Sequence, residues 1–240
     1  MKFKNITLSL LSLACGLYSV QAQAFQVDKM VVVGDERGNG IITLTNDEDM
    51  PLFVETIVDE IKIKDGTEII KEKYTRENLN DWKISLTHQR LVLKKGEEKD
   101  IGIRSLCHNT SCDTSQDLMF SLSFLPSKYR EEGEAASGVE INYGFAPVYI
   151  IPTTEPTFDY EIINKGSELE VKNDSNTMIQ VYLDSCTTEI TAQCKQKLTV
   201  LAGRHKTFNL VDTIQNDNLR VTVNSHDKSY SQKQVIKRSN

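Results

Sequence analysis

The chain has 240 residues, 28 of them basic and 34 acidic, for a formal net charge of −6. Such a balance excludes a nucleic-acid binder, because neutralising phosphates takes clustered Lys and Arg. At this length one large or two modest cores can be buried, and no composition bias points to a fibrous or disordered chain.

The first residues read as a leader. Lys2 and Lys4 give a basic start, Ile6 to Ala14 is a short apolar core, and Ala22-Gln23-Ala24 is a small-x-small cleavage site. This is a secretory signal peptide over residues 1–24, too short to span a membrane, and the mature chain is expected to begin at Phe25. A lipoprotein cleaved before Cys15 is a competing reading, but Ser12-Leu13-Ala14 lacks the leucine usual three positions before such a cysteine. Without Lys2 and Lys4 the mature chain carries 26 basic against 34 acidic residues, a charge of −8. No later stretch is long and apolar enough to insert in a bilayer, so the protein is expected to be exported and soluble.

From Phe25 onward strand signals come at short spacing. Val31-Val32-Val33 precedes a turn-rich stretch to Gly40, and Ile41 to Asp47 alternates. Leu52 to Ile63 is β-branched and ends at the turn Lys64-Asp65-Gly66, with Glu68 to Lys73 as its hairpin partner. Tyr74 to Asp81 is polar and reads as a loop. Then Ile84 and Leu86, Leu91 and Leu93, and Ile101 and Ile103 alternate in turn, followed by Leu118, Phe120, Leu122 and Phe124. Pro126 to Gly138, charged and with two glycines, reads as a mobile loop.

The last stretch of this unit is GVEINYGFAPVYIIP, Gly138 to Pro152. Val139, Ile141, Tyr143 and Phe145 point one way, because strand side chains alternate with period two; Val148 to Ile151 is then apolar without a break, as in a segment buried on both faces. Pro152 to Pro156 forms a short, stiff linker. A second set of strands follows at Phe158 to Ile163, Leu169 to Val171, Met178 to Leu183, Leu198 to Leu201 and Leu219 to Val223, while Ser229 to Asn240 is polar and basic and is expected to fray. The fold class is all-β: short strands with turns every eight to twelve residues argue for β-sandwiches, one over 25–152 and a smaller one over 153–240.

Four cysteines remain after the leader, in two close pairs, Cys107 with Cys112 and Cys186 with Cys194. In an oxidising exported compartment these read as two short-loop disulfides. A metal site from Cys107, His108 and Cys112, with His88, is the alternative, and the export signal favours oxidation over thiolate ligation. His88, His108, His205 and His226 sit in unrelated polar contexts, and there is no nucleophile elbow, metalloprotease helix motif or phosphate loop. No catalytic residue, no metal and no cofactor is expected, and the chain is not read as an enzyme.

Several passages together resemble the periplasmic chaperones of the chaperone–usher pilus pathway. They are WKISLTHQRLVLKKGEEKDIGIRSL, CDTSQDLMFSLSFLP, the alternating row running into VYIIP, and FDYEIINKGSELEVKNDSNTMIQVYL. The second cysteine pair is similar to that of a less common, non-classical branch. The resemblance implies two immunoglobulin-like sandwiches set as an L or boomerang. It implies a protein that binds pilus or fimbrial subunits and passes them to an outer-membrane usher. The subunit lacks a strand, and the chaperone lends its own, with main-chain bonds for affinity and side-chain pockets for register. The lent row would be Val139, Ile141, Tyr143 and Phe145. Burying four such side chains gives about 6–12 kcal/mol before ordering costs. An exposed apolar row also implies self-association of the free protein.

One departure from the family stands out. Better-known members hold the subunit's terminal carboxylate with an Arg on the first strand and a Lys on the last. Here those positions fall near Val31 and around Ala146-Pro147, so Lys29, Arg90 and Arg104 are the candidate substitutes. Periodicity alone also fits a different class, an exported structural or adhesive module in which the row is simply the core face of a sandwich strand. A chaperone must leave that row exposed; a structural module must bury it.

Overall fold

A computed structural model describes residues 24–107, 112–130, 142–186 and 192–239. The leader expected over 1–24 lies outside them except for Ala24. The first sandwich packs two sheets. One is ordered β1 (Phe25–Val27), β3 (Gly40–Asn46), β8 (Glu98–Ser105), β6 (Ile84–Leu86). The other runs β2 (Val31–Val33), β10 (Val148–Ile151), β9 (Leu118–Lys128), β4 (Leu52–Lys64), β5 (Glu68–Lys73), with β7 (Arg90–Leu93) also on β4. The core forms where the inward members of each alternation meet. Ile42, Leu44, Ile101 and Ile103 of the first sheet pack on Val54, Leu122, Phe124 and Tyr149 of the second. The chain changes sheets between β1 and β2. β2 then pairs parallel with β10, Val31 opposite Val148, while the other side of β10 is antiparallel to β9.

The second sandwich packs β11 (Tyr160–Asn164), β12 (Glu168–Asn173) and β15 (His205–Asn209) against a sheet ordered β14 (Lys195–Val200), β13 (Ile179–Asp184), β16 (Asn218–Asn224), β17 (Ser231–Lys237). Leu169 and Val171 face Val181, Leu198, Val221 and Val223 across its core. Cys107–Cys112 and Cys186–Cys194 are both disulfide-bonded.

Four expectations change. Of the strand read from Gly138 to Pro152, residues 138–141 lie outside the described ones, and among the described residues it forms only over Val148–Ile151, with one isolated bridge at Phe145; Pro147 has no N–H for the ladder. The loop expected from Pro126 begins later, since β9 continues through Pro126 to Lys128. The tail does not fray. β17 pairs with β16 from Ser231 to Lys237, and Tyr230 at its start stacks on Phe158, ring centroids 4.0 Å apart. The polar stretch after Tyr74 is a 3₁₀ turn (Arg76–Asp81) capped by Thr75, whose hydroxyl accepts from the Glu77 N–H.

Candidate functional site

The segment ahead of β10 holds the described half of the alternating row. Val139 and Ile141 lie outside the described residues. Tyr143 is 79% exposed. Phe145 is half-buried on the first core, its ring 6.0 Å from that of Phe25. Leu125 on β9, on the Gly144 face of the sheet, and Val92 on β7 are also exposed. An edge segment with an exposed aromatic, continuous with a strand buried at Tyr149 and Ile150, can pair with another chain through its backbone and fill that chain's pockets with its side chains.

The three candidate cations do not converge. Lys29 is exposed and pairs with Asp28 at 3.1 Å. It immediately precedes Met30, whose carbonyl accepts the Val148 N–H. Arg90 sits on β7 and pairs with Glu55, both partly solvated. Arg104 projects exposed from β8, in the opposing sheet, opposite Ser85. The positions near Val31 and the start of β10 are apolar.

That apolarity has a structural use. Val31, Val33, Val148 and Ile150, with Ile61 and Met119, form the outer face of the first sandwich's larger sheet. Met178, Leu201 and Ala202 of the second sandwich cover it. A long strand can therefore be buried on both faces. β4 sends Leu52, Val54 and Val58 to the core, and near its end turns Ile61 to this junction. Beside the apolar contact opens a cleft of about 650 Å³, lined by residues including Glu60, Lys83, Asp117, Asn176 and Ala202.

Asp117, just before β9, ties the junction together. Its carboxylate accepts the Thr153 N–H from the linker at 2.9 Å. From the second sandwich it accepts the Met178 N–H at 2.7 Å and the Thr177 hydroxyl at 3.2 Å. Burial raises its pKa above the ordinary carboxylate value, against the opposing pull of those three donors. Asn176 reinforces the tie by donating its side-chain amide to the Ser115 and Glu155 carbonyls. At the far side of the junction the turn between β4 and β5 meets β15. The Gly66 carbonyl accepts the His205 N–H, and Arg204 donates to the Thr67 carbonyl. Gly66 has φ +70, and a Cβ there would lie 2.4 Å from the His205 ring, so both conformation and space require glycine.

On the cleft wall, Lys83 donates to Glu60 at 2.6 Å, and Glu60 also accepts the Tyr74 hydroxyl at 3.1 Å. The Tyr74 oxygen in turn accepts the Lys83 N–H at 3.0 Å, and Tyr74 stacks on Trp82, centroids 5.4 Å apart. Burial, with Glu60 beside it, raises the Tyr74 pKa. Sequence reading missed Asp117, Lys83 and Glu60. No local spacing marks them, because each works through partners far along the chain.

Residues 27–152 match the family model described as CS5 fimbrial protein N-terminal domain. An uncharacterized 25.9 kDa protein from the CS5 3′ region of Escherichia coli is 23% identical over 180 residues, covering 73% of this chain and 76% of that one. Among solved structures, the class 5 fimbriae chaperone CfaA is similar with TM-score 0.52 at 15% identity, covering 88% of this chain and 98% of its own. The Salmonella enterica SafB chaperone structure, in complex with SafA pilin, matches with TM-score 0.51 at 11% identity over 91% of this chain and 99% of that one. The CsuC–CsuE chaperone–tip adhesion subunit complex of Acinetobacter baumannii matches with TM-score 0.51 at 12% identity, over 90% and 100% of the two chains. At these identities the likeness is one of fold, and the fold is the two-domain β-sandwich of fimbrial chaperones. Among the described residues no helix is long and apolar enough to cross a membrane.

Proposed function

We propose a function from the premise that this chain belongs to the family described as CS5 fimbrial protein N-terminal domain: it is a periplasmic chaperone that binds fimbrial subunits by lending them a strand and delivers them to an outer-membrane usher. The observation that carries the reading is Tyr143, 79% exposed on an edge segment whose other end is anchored in the core. A structural module would bury such a residue. The lent row is Val139, Ile141, Tyr143 and Phe145, on the unit expected over 25–152, and the leader over 1–24 directs export. Strand addition supplies affinity without a cofactor or nucleotide. It also covers an edge that otherwise invites self-association of the free protein.

Of the three cations, Lys29 is the one we assign to the subunit's carboxylate. It borders the rung between β2 and β10, whereas Arg90 lies on β7, away from that rung, and Arg104 belongs to the other sheet.

The test is affinity capture from a periplasmic extract of the native host, with Tyr143→Glu as control and the captured protein identified by mass spectrometry. Wild type should bring down a small exported β-rich subunit and the variant should lose it. Capture that survives the charge at position 143, or captures nothing in either form, removes strand donation as the mechanism.

A further inference from the structure

The outer face of the second sandwich's larger sheet carries charge of nearly one sign. Leu183, Leu198, Val221 and Ile236 pack inward, so alternation turns Asp184, Lys197, Arg220 and Lys237 outward. The register sets them in rows. Lys197, Tyr182, Thr222 and Lys233 lie side by side across all four strands. Lys195, Asp184, Arg220 and Val235 form the next row, and Lys237 stands beyond it, opposite Asn218. Among the outward positions of these described strands there are five cations and one carboxylate. The mature chain as a whole has the opposite balance, 26 basic against 34 acidic residues.

The single carboxylate is already shared. Asp184 pairs with Arg220 at 3.3 Å and with Lys195 at 3.9 Å. Among the described residues no carboxylate lies within ion-pair distance of Lys197, Lys233 or Lys237. The Lys197 ammonium lies over the Tyr182 ring, 5.5 Å from its centroid, and Val235 is 59% exposed. Lysines on the edge strands β14 and β17 discourage edge-to-edge pairing, but that role does not call for one sign. Elsewhere exposed strands of this protein mix the two. On the opposite sheet of the same sandwich Lys172 pairs with Glu161 at 2.7 Å and Lys165 with Glu170 at 2.5 Å. In the first sandwich Lys62 pairs with Glu72 at 3.2 Å.

We infer that this face docks on an anionic phospholipid surface. The inference goes beyond strand donation and rests only on the reading that the protein is exported. A bilayer presents its phosphates in a plane, and the face is a sheet. At the ordinary strand spacing its lysine columns on β14 and β17 stand about 14 Å apart, so separate headgroups are met at once. Val235 and the Tyr182 ring supply the apolar and amphipathic contacts that suit the headgroup level. Net charge opposes the approach, so attraction has to come from this one face. β13 follows Met178 and β14 leads into Leu201, both at the junction. Lys195 and Lys237 therefore stand at the end of the sandwich away from the first one. The face includes none of the residues assigned to the subunit, so the two roles separate by substitution.

Flotation of the mature protein with lipid vesicles tests this, using phosphatidylcholine alone and phosphatidylcholine mixed equally with phosphatidylglycerol. The protein should float with the mixed vesicles and not with the neutral ones. Salt at about 1 M should release it, since screening then acts within roughly 3 Å. Lys197→Gln with Lys233→Gln should weaken the partition by about 25-fold. Lys71→Gln with Lys172→Gln removes the same charge from the mixed-sign faces, where each lysine has a carboxylate partner, and should stay within about twofold of wild type. Thermal melts confirm that both double variants are folded. No flotation with the mixed vesicles, or equal loss in the two double variants, overturns the inference. So does a wild type that ignores vesicles but is retained on polyglutamate, which gives the face to an acidic protein. Failure of strand donation shows separately, because Tyr143→Glu leaves flotation unchanged and the Lys197, Lys233 double variant keeps whatever capture wild type has.

Discussion

The Asp117 carboxylate of the first sandwich accepts the main-chain N–H of Met178 in the second at 2.7 Å. Met178 is 1% exposed and Thr153, the linker donor to the same carboxylate, 7%. Removing the acceptor leaves both N–H groups buried without partners. Asp117→Ala should therefore cost about 2–5 kcal/mol at the junction, read as a lower midpoint in urea unfolding. A loss below the error of that measurement would mean that the apolar contact alone fixes the two sandwiches.

Tyr143 and Phe145 lie two residues apart on the same row and should behave differently. Tyr143→Glu changes an exposed side chain and should leave stability within about 0.5 kcal/mol while removing subunit capture. Phe145→Ala removes a ring packed near Phe25 and should cost about 1–3 kcal/mol. Thermal melts of the two variants separate these effects; equal destabilisation would place Tyr143 against the core.

The Lys83–Glu60 pair is largely withdrawn from water, with side chains 24% and 7% exposed. Lys83→Met strands the Glu60 charge beside one tyrosine hydroxyl and should destabilise by roughly 2–4 kcal/mol. Adding Glu60→Gln should recover part of the loss. A double variant no better than the single one would show that the charge itself is not what the lysine offsets.

Asp227 accepts the Ser225 hydroxyl and both the N–H and hydroxyl of Ser229, closing the turn between β16 and β17. Those bonds, the Ser225 hydroxyl first, lower its pKa below the ordinary carboxylate value. A lowered folded-state pKa stabilises above the unfolded value, and the contribution fades as pH falls through the folded one. Asp227→Asn should melt below wild type at about pH 7, with the gap closing toward about pH 2. A gap constant with pH would assign the effect to side-chain shape rather than charge.

Strict alternation made the central strands legible. Leu118 to Phe124 and Ile101 to Ile103 place one face in water-free packing, and that demand is written into consecutive residues. β17 and β15 were not legible, because Ser231–Lys237 and His205–Asn209 are held by ladders to better-patterned neighbours and need little apolar content of their own. The edge segment was half legible. Its row of large residues was plain, but the Phe124–Phe145 bridge that ties it to β9 is a long-range pairing that no local spacing marks. Asp117 left no trace, since its donors lie in the linker and in another sandwich.

The parallel pairing of Val31 with Val148 closes the first sandwich with residues from its two chain ends, more than a hundred positions apart. Contacts of such separation form late in folding, after the entropy of closing the intervening loop has been offset by nearer pairings. A chain released from its N-terminus onward has Val31 waiting at an unfilled edge until Val148 arrives. During that interval the core beneath β10 lacks Tyr149, and the edge of β9 is open to any strand that passes. Until then the first sandwich is itself a sheet missing a strand, and its own β10 supplies it.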